Sequence, residues 1–111
     1  MVMEIPDKGD LILLNFSPQS GHEQAGYRPA LVLSPKIFNG ASFLMACPIT
    51  SKEKGYPFEV KIPDGLNING VILTDQLRSL DWRAMGLKIV DRAPTETVEE
   101  CIDLISTILV N

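Results

Sequence analysis

The stretch Phe43-Leu44-Met45-Ala46-Cys47-Pro48-Ile49 is apolar from end to end. Its short length and unbroken apolar character indicate a strand that is buried on both faces. Similar apolar runs, punctuated by Gly and Pro clusters, recur on both sides of it, and this rhythm is typical of short strands. We expect the other strands at residues 11–16, 29–34, 58–62, 70–74 and 87–90.

The end of the chain has a different periodicity. After Pro94, apolar residues recur at three- and four-residue spacing across Thr95–Leu109, which is one face of an amphipathic helix. Neither a repeat nor a linker interrupts the sequence, and residues 1–111 are expected to form a single domain. The predicted fold class is therefore mainly β (α+β), a small and strongly bent antiparallel sheet or open barrel that is closed by one C-terminal α-helix.

The charge and hydropathy of the chain argue against several classes of protein. A formal net charge of −4 and a pI near 4.8 argue against binding of nucleic acid through a global positive field, although a local basic cleft is compatible with them. No apolar segment reaches the roughly 18 residues that span a bilayer, and residues 1–7 lack the pattern of a signal peptide. We therefore expect a cytoplasmic protein with no membrane partner, in which Cys47 and Cys101 are buried thiols.

Several catalytic chemistries lack their residues in this sequence. His22 is the one histidine, so a mechanism with two histidines has no place within one chain. The Cys and His spacings of zinc sites, a cluster of carboxylates, a phosphate-binding G-x-x-x-x-G-K and a G-x-S-x-G nucleophile motif are all missing. The sequence therefore favours a chemistry that needs neither a metal nor a cofactor.

RNA cleavage is such a chemistry, because the 2′-OH of RNA is its own nucleophile. The protein then has to deprotonate that hydroxyl, stabilise charge on the phosphoryl oxygens and protonate the leaving 5′ oxygen. Arg28 is a suitable electrostatic group, because its planar guanidinium matches phosphate oxygens. Glu23, five residues earlier, is a candidate base, and His22 is a second candidate base or a phosphate contact. From the residues alone, an arginine at a strand start is more often a surface charge than a functional group, and a structural salt bridge is its other alternative role.

Polar residues at two predicted strand ends extend this candidate site. Thr50 and Ser51 follow the apolar stretch at residues 43–49 and offer two hydroxyls, although a hydroxyl there is also typical of a turn. Asp75 and Gln76 follow the strand at residues 70–74 and offer hydrogen bonds to base edges, or simply to a turn backbone. Phe58 is a candidate for base stacking or for core packing.

Longer motifs in the chain resemble those of the MazF/PemK family, the endoribonuclease toxins of type II toxin–antitoxin pairs. Residues 6–12 are similar to that family's opening strand, and residues 21–30, which contain Arg28, resemble its main signature. Residues 48–51 and 70–84 resemble its second and third motifs, and residues 54–60 are closest to the MazF branch. The resemblance extends over nearly the whole chain.

The resemblance implies a fold, an activity and partners. The fold is a small SH3-like open barrel of the PemK/CcdB type with a C-terminal helix, assembled as a homodimer. The activity is sequence-specific, metal-independent cleavage of single-stranded RNA, mainly mRNA, which leaves 2′,3′-cyclic phosphate and 5′-OH ends. The partner is a MazE/PemI-like antitoxin whose disordered acidic segment blocks the RNA cleft, and operator DNA is bound only through the toxin–antitoxin complex. Docking charges for that segment are expected among the following residues: Lys52, Lys54, Arg78 and Arg83.

The resemblance also implies roles for individual residues. The family's catalytic arginine falls on Arg28, its catalytic threonine on Thr50 and its loop acid on Glu23. One departure is Leu73, which stands where the PemK branch carries a catalytic arginine, so the MazF-like set is favoured. Contacts with RNA are implied for these residues: His22, Gln24, Ser51, Phe58, Asp75 and Gln76.

Two alternatives belong to other functional classes. A CcdB-like toxin would share the fold and bind DNA gyrase without catalysis, but its Trp-Gly-Ile ending has no counterpart in the residues that end this chain. An inactive relative would act only as an antitoxin-binding or DNA-binding regulator, which the presence of Arg28, Thr50 and Glu23 disfavours. Trp82, with its neighbour Arg83, is expected either in a structural role or at a dimer interface.

Overall fold

A computed structural model describes residues 4–15 and 26–110 of the chain. Within these ranges lie seven strands: β1 Asp10–Asn15, β2 Tyr27–Val32, β3 Phe43–Thr50, β4 Glu59–Lys61, β5 Val71–Leu73, β6 Arg78–Asp81 and β7 Lys88–Arg92. The helices of the same ranges are α1 Lys36–Asn39, α2 Thr95–Leu109 and two short 3₁₀ turns, Thr74–Gln76 and Trp82–Ala84. Three predicted site residues, His22, Glu23 and Gln24, lie outside the described residues.

The strands form one antiparallel sheet in the order β4-β5-β3-β2-β1-β7, which is open and not closed into a barrel. β3 is its central strand, with β2 along one edge. β5 and β6 share the opposite edge of β3. β5 pairs with the end of β3 at Thr50, and β6 pairs with its first half, around Leu44. The predicted fold class, mainly β with a C-terminal helix, is confirmed.

The predicted strands differ from the observed ones mainly at their ends. β2 begins two residues earlier than expected, so Arg28 lies inside the strand and not just before it. The side chain of Phe43 is half exposed, so burial on both faces applies to β3 only beyond this residue. α1 and β6 were not predicted, because α1 has only four residues and β6, Arg78–Asp81, contains a single apolar residue and so presents no apolar run.

Two apolar clusters cover the two faces of the sheet. Because successive side chains of a strand point to opposite faces, Leu11, Leu31 and Cys47 join the cluster beneath α2. Their immediate neighbours along the same strands join the second cluster, around Trp82 of the 3₁₀ turn: Ile12, Val32 and Ala46. β1, β2 and β3 read as continuous apolar runs because both of their faces are covered.

Helix α2 covers the first cluster with Val98, Cys101 and Ile105. It begins after Pro94, whose carbonyl accepts the first helical N–H groups, and it ends at Leu109, as the periodicity predicts. No helix in residues 4–15 or 26–110 combines the length and the apolar character needed to cross a membrane.

Both cysteines are free and fully buried, as expected. Burial raises the pKa of the Cys47 thiol to about 12, with a further contribution from the charge of Asp75. Burial likewise raises the pKa of Cys101 to about 12. The folded state therefore holds both thiols neutral at a pH where the unfolded chain, with an ordinary thiol pKa, has already ionised.

We predict that the native protein resists iodoacetamide at pH 8, whereas the guanidinium-unfolded protein is alkylated at both sites. Because the folded pKa values are raised, the thiols contribute stability that is fully present below the unfolded thiol pKa and is lost as the pH rises toward about 12. Mass spectrometry counts the adducts, and thermal melts at pH 7 and pH 10 follow the stability. Rapid alkylation of the folded protein at pH 8 would contradict the burial of the thiols.

Candidate active site

The register between β2 and β3 brings Arg28 and Thr50 together. Ala30 pairs with Pro48, and the same antiparallel register continued by two residues places Arg28 opposite Thr50. Residues two apart on a strand share a face, so both side chains lie on the face that carries Ala30 and Pro48. The two residues are distant in the sequence, and the sheet makes them neighbours.

Arg28 and Thr50 line one cavity of about 350 Å³, the main cavity. Its apolar floor includes Ala30 and Leu80, which belong to the cluster around Trp82. Its other polar lining residues are Gln76 and Arg78. The main cavity therefore lies directly over the core, and strands β2, β3 and β6 supply most of its lining side chains.

A second cavity of about 210 Å³, the side cavity, adjoins the first. The two cavities share Thr50, Leu73 and Gln76, so Thr50 lies where they meet. The main cavity and the side cavity together are called the groove below. The other lining residues of the side cavity are these: Lys52, Lys54, Tyr56, Phe58, Glu59 and Asp75.

Gly70 allows β5 to approach the end of β3 at Thr50. Its φ is +123°, which L side chains rarely adopt, and a Cβ built there would overlap the Thr50 carbonyl. The Thr50 hydroxyl oxygen accepts the Lys52 N–H at 3.2 Å. Since that bond uses only an oxygen lone pair, the hydroxyl hydrogen remains available for another acceptor.

Asp75 and Gln76 reach the groove from a fixed 3₁₀ turn. The buried Thr74 at the start of that turn donates to the Phe58 carbonyl twice, from its hydroxyl at 2.6 Å and its backbone N–H at 3.2 Å. These bonds hold the turn against the segment that carries Phe58. Asp75 and Gln76 are exposed, while the apolar Leu73 lines both cavities.

The Glu59 carboxylate fixes the segment between β3 and β4. It accepts the backbone N–H of Gly55 at 2.9 Å and that of Lys54 at 3.2 Å. Gly55 has a φ of +77°, which a glycine adopts without strain. Glu59 was not predicted as a site residue, because its role depends on amides that it contacts only in the folded segment.

The structure places most of the predicted site residues in the groove. Arg28, Thr50, Phe58, Asp75 and Gln76 line it, whereas Ser51 is exposed and lines neither cavity. Lys52, Lys54 and Arg78 also line it, although the sequence suggested them only as docking charges for an antitoxin. Arg83 lies elsewhere, with its guanidinium 4.5 Å from the Trp82 ring centroid and bonded to the Gly40 carbonyl.

The charge of the groove differs in sign from that of the chain. Its lining carries four cationic side chains and two carboxylates, while the chain has a net charge of −4. One of those carboxylates, Glu59, is hydrogen-bonded to backbone amides. In the part of the chain that the structure describes, no three His, Cys, Asp or Glu side chains converge as metal ligands. The arrangement suits a polyanion whose phosphate enters between Arg28 and Thr50.

Comparison with known proteins identifies the family. The family model of the PemK-like, MazF-like toxins of type II toxin-antitoxin systems matches residues 7–109. The chain belongs to this family. The endoribonuclease toxin MazF of Escherichia coli strain K12 is 51% identical to it over 83 residues, which cover 74% of each protein. The endoribonuclease toxin ChpB of the same strain is 37% identical over 102 residues, covering 86% of this chain and 87% of ChpB.

Solved structures of the family share the fold. A chain of the MazE-MazF crystal structure (Form-II) from Deinococcus radiodurans matches with a TM-score of 0.92 and 48% identity, over 96% of this chain and 97% of that one. An endoribonuclease solved with its cognate antitoxin from a mycobacterial species matches with a TM-score of 0.75 at 18% identity, over 94% of each chain, and supports the fold alone. The predicted family, the PemK-type fold and the endoribonuclease class are confirmed.

Proposed function

We propose that this chain is the toxin of a type II toxin–antitoxin pair and cleaves single-stranded RNA, chiefly mRNA, at specific sequences without a metal ion. The observation that carries the proposal is the meeting of Arg28 and Thr50 on one cavity, beside a second cavity with two aromatic side chains. The family membership supports it, because the related MazF and ChpB proteins are named endoribonuclease toxins. The cleavage inhibits translation and growth.

The reaction runs through the RNA 2′-OH. The 2′ oxygen attacks the phosphorus, the bond from phosphorus to the 5′ oxygen breaks, and the products carry a 2′,3′-cyclic phosphate and a 5′-OH. The Arg28 guanidinium binds the non-bridging oxygens and stabilises the charge that grows there. The Thr50 hydroxyl donates to a phosphoryl oxygen. Glu23, outside the described residues, is the proposed base that accepts the 2′-OH proton, and a proton from solvent water completes the leaving 5′-OH.

In this proposal, residues of the side cavity recognise the RNA sequence by contacting its bases. The rings of Tyr56 and Phe58 offer faces on which bases stack. Asp75 and Gln76 offer acceptors and a donor to base edges from the fixed 3₁₀ turn. His22, Gln24 and Ser51 are proposed to contact RNA outside the lining described here.

The partners follow from the same proposal. The Deinococcus radiodurans relative is crystallised as a MazE-MazF complex, which supports a MazE/PemI-like antitoxin for this chain. Its acidic segment would bind the cationic groove and exclude RNA. A homodimer, a cytoplasmic location and contact with operator DNA only through the antitoxin complex complete the proposal.

The test is cleavage of RNA in excess EDTA. We expect purified protein to cut a long single-stranded RNA at a limited set of sites, and its downstream products to accept a 5′ label from polynucleotide kinase without prior phosphatase treatment. Sequencing of the 5′ ends then gives the recognition sequence. Intact RNA in EDTA, with cleavage restored only by added magnesium, would overturn the metal-independent mechanism.

A further inference from the structure

Arg78 lies on the side of the main cavity away from Arg28. β2 and β6 flank β3 on opposite edges, so Arg28 and Arg78 project from strands separated by the width of β3. Adjacent strands are about 4.8 Å apart, which puts β2 and β6 roughly 10 Å apart. Arg78 pairs with Ala46, four residues before Thr50, or roughly 13 Å along β3. Arg78 is therefore displaced from the Arg28–Thr50 pair along the cavity.

Arg78 has no structural partner among the described residues. The described ranges contain one salt bridge, between Arg92 and Asp10, and Arg83 is held by the Gly40 carbonyl and the Trp82 ring. The side chain of Arg78 makes no hydrogen bond or ion pair within these ranges, although its strand neighbour Leu80 is buried in the core. Its planar set of N–H donors is therefore presented to whatever enters the cavity.

The main cavity has the chemistry of an anion site. Its described lining carries two arginines and no carboxylate, because Asp75 and Glu59 line only the side cavity. The rest of its lining is apolar apart from Thr50 and Gln76. Charges of one sign in a concave surface with apolar walls concentrate the field that attracts an anion.

We infer that Arg78 binds a second backbone phosphate of the RNA, one that flanks the scissile phosphate held at Arg28 and Thr50. The inference rests on the proposed function. An RNA strand that places its scissile phosphate at the Arg28 end has to pass along the same cavity. Because Arg78 is displaced along the cavity from Arg28 and Thr50, it is assigned to a neighbouring phosphate. Arg78 thus positions the RNA and contributes to binding, whereas Arg28 contributes to the chemical step.

The experiment separates binding from cleavage. The probe is a fluorescein-labelled oligonucleotide that contains the mapped cleavage site, with a 2′-O-methyl group at the scissile nucleotide so that it binds without being cut. Anisotropy titrations between 50 and about 300 mM KCl give the slope of log Kd against log salt. We expect Arg78→Ala to weaken binding about tenfold and to reduce the slope by about 0.7, the value for one phosphate of a single strand.

Two further variants sharpen the result. Lys61→Ala removes an exposed cation on β4 that lines neither cavity, and its slope should equal that of the parent. Arg78→Lys keeps the charge and should restore the slope, with affinity between those of the parent and Arg78→Ala. On cleavable RNA at saturation, kcat of Arg78→Ala should stay within about threefold of the parent while KM rises.

Three outcomes would overturn the inference. The first is an unchanged slope in Arg78→Ala, and the second is a loss of kcat with unchanged binding. The third is intact RNA binding with loss of antitoxin binding, which would make Arg78 a docking residue for protein. Failure of the proposed function looks different, because the parent protein would then neither bind nor cleave single-stranded RNA.

Discussion

Arg28→Ala is expected to reduce RNA cleavage by at least about 10³-fold, because it removes the charge that stabilises the phosphoryl oxygens as the 2′ oxygen attacks. Loss of one preorganised donor costs about 10²–10³-fold in comparable sites, and loss of an arginine at a transferring phosphoryl group about 10³–10⁵-fold. Single-turnover cleavage of the mapped site, with enzyme in excess, measures the chemical step directly.

The fold should survive this substitution, since the Arg28 side chain is exposed at the cavity and not packed in the core. The thermal midpoint should therefore stay within a few degrees of the parent. Arg28→Lys keeps the charge without the bidentate geometry and should recover only part of the rate. Lys61→Ala controls for the lost charge and should cleave like the parent. Full activity of Arg28→Ala would move the catalytic centre elsewhere.

The apolar pattern predicted the central elements well. β3 and α2 are found near their predicted positions because each has a strong pattern, an unbroken apolar run and a three- and four-residue spacing. β6 was not predicted because it has no apolar pattern of its own. It is a strand because it pairs with β3, and four residues with two charges do not reveal that pairing. The same is true of α1, whose four residues lie between two strands.

The candidate site shows a similar division. Composition alone left Arg28 as one charge among several, and the family motifs named it together with Thr50. Their meeting depends on the β2–β3 register, which sequence patterns do not fix to the residue. Arg78 and Glu59 gain their roles only from the cavity and the amides beside them. Such neighbours are a property of the fold, so the sequence suggested Arg78 only as a docking charge and did not predict these roles for Arg78 or Glu59.

Trp82→Ala is expected to lower the free energy of unfolding by about 3–5 kcal/mol, the usual loss for a buried large aromatic. The sequence left open whether Trp82 has a structural role or lies at a dimer interface. Trp82 is fully buried within a single chain, which favours the structural role. Its Nε1–H donates to the Asn39 carbonyl at 2.8 Å, and its ring packs in the cluster that includes Ala30 and Leu80. Removing it takes support from the cavity floor.

The expected loss is a large part of the 5–15 kcal/mol that stabilises a typical domain. In urea unfolding at one fixed protein concentration, the midpoint should fall clearly, and the melting temperature should drop by roughly 10–20 °C. Trp82→Phe keeps most of the packing but leaves the Asn39 carbonyl without its donor, which costs about 1–3 kcal/mol. Phe38→Ala removes a half-exposed aromatic and should cost little. Equal stability of Trp82→Ala and Phe38→Ala would contradict this prediction. It would show that packing around Trp82 does not stabilise the floor of the cavity that Arg28, Thr50 and Arg78 line.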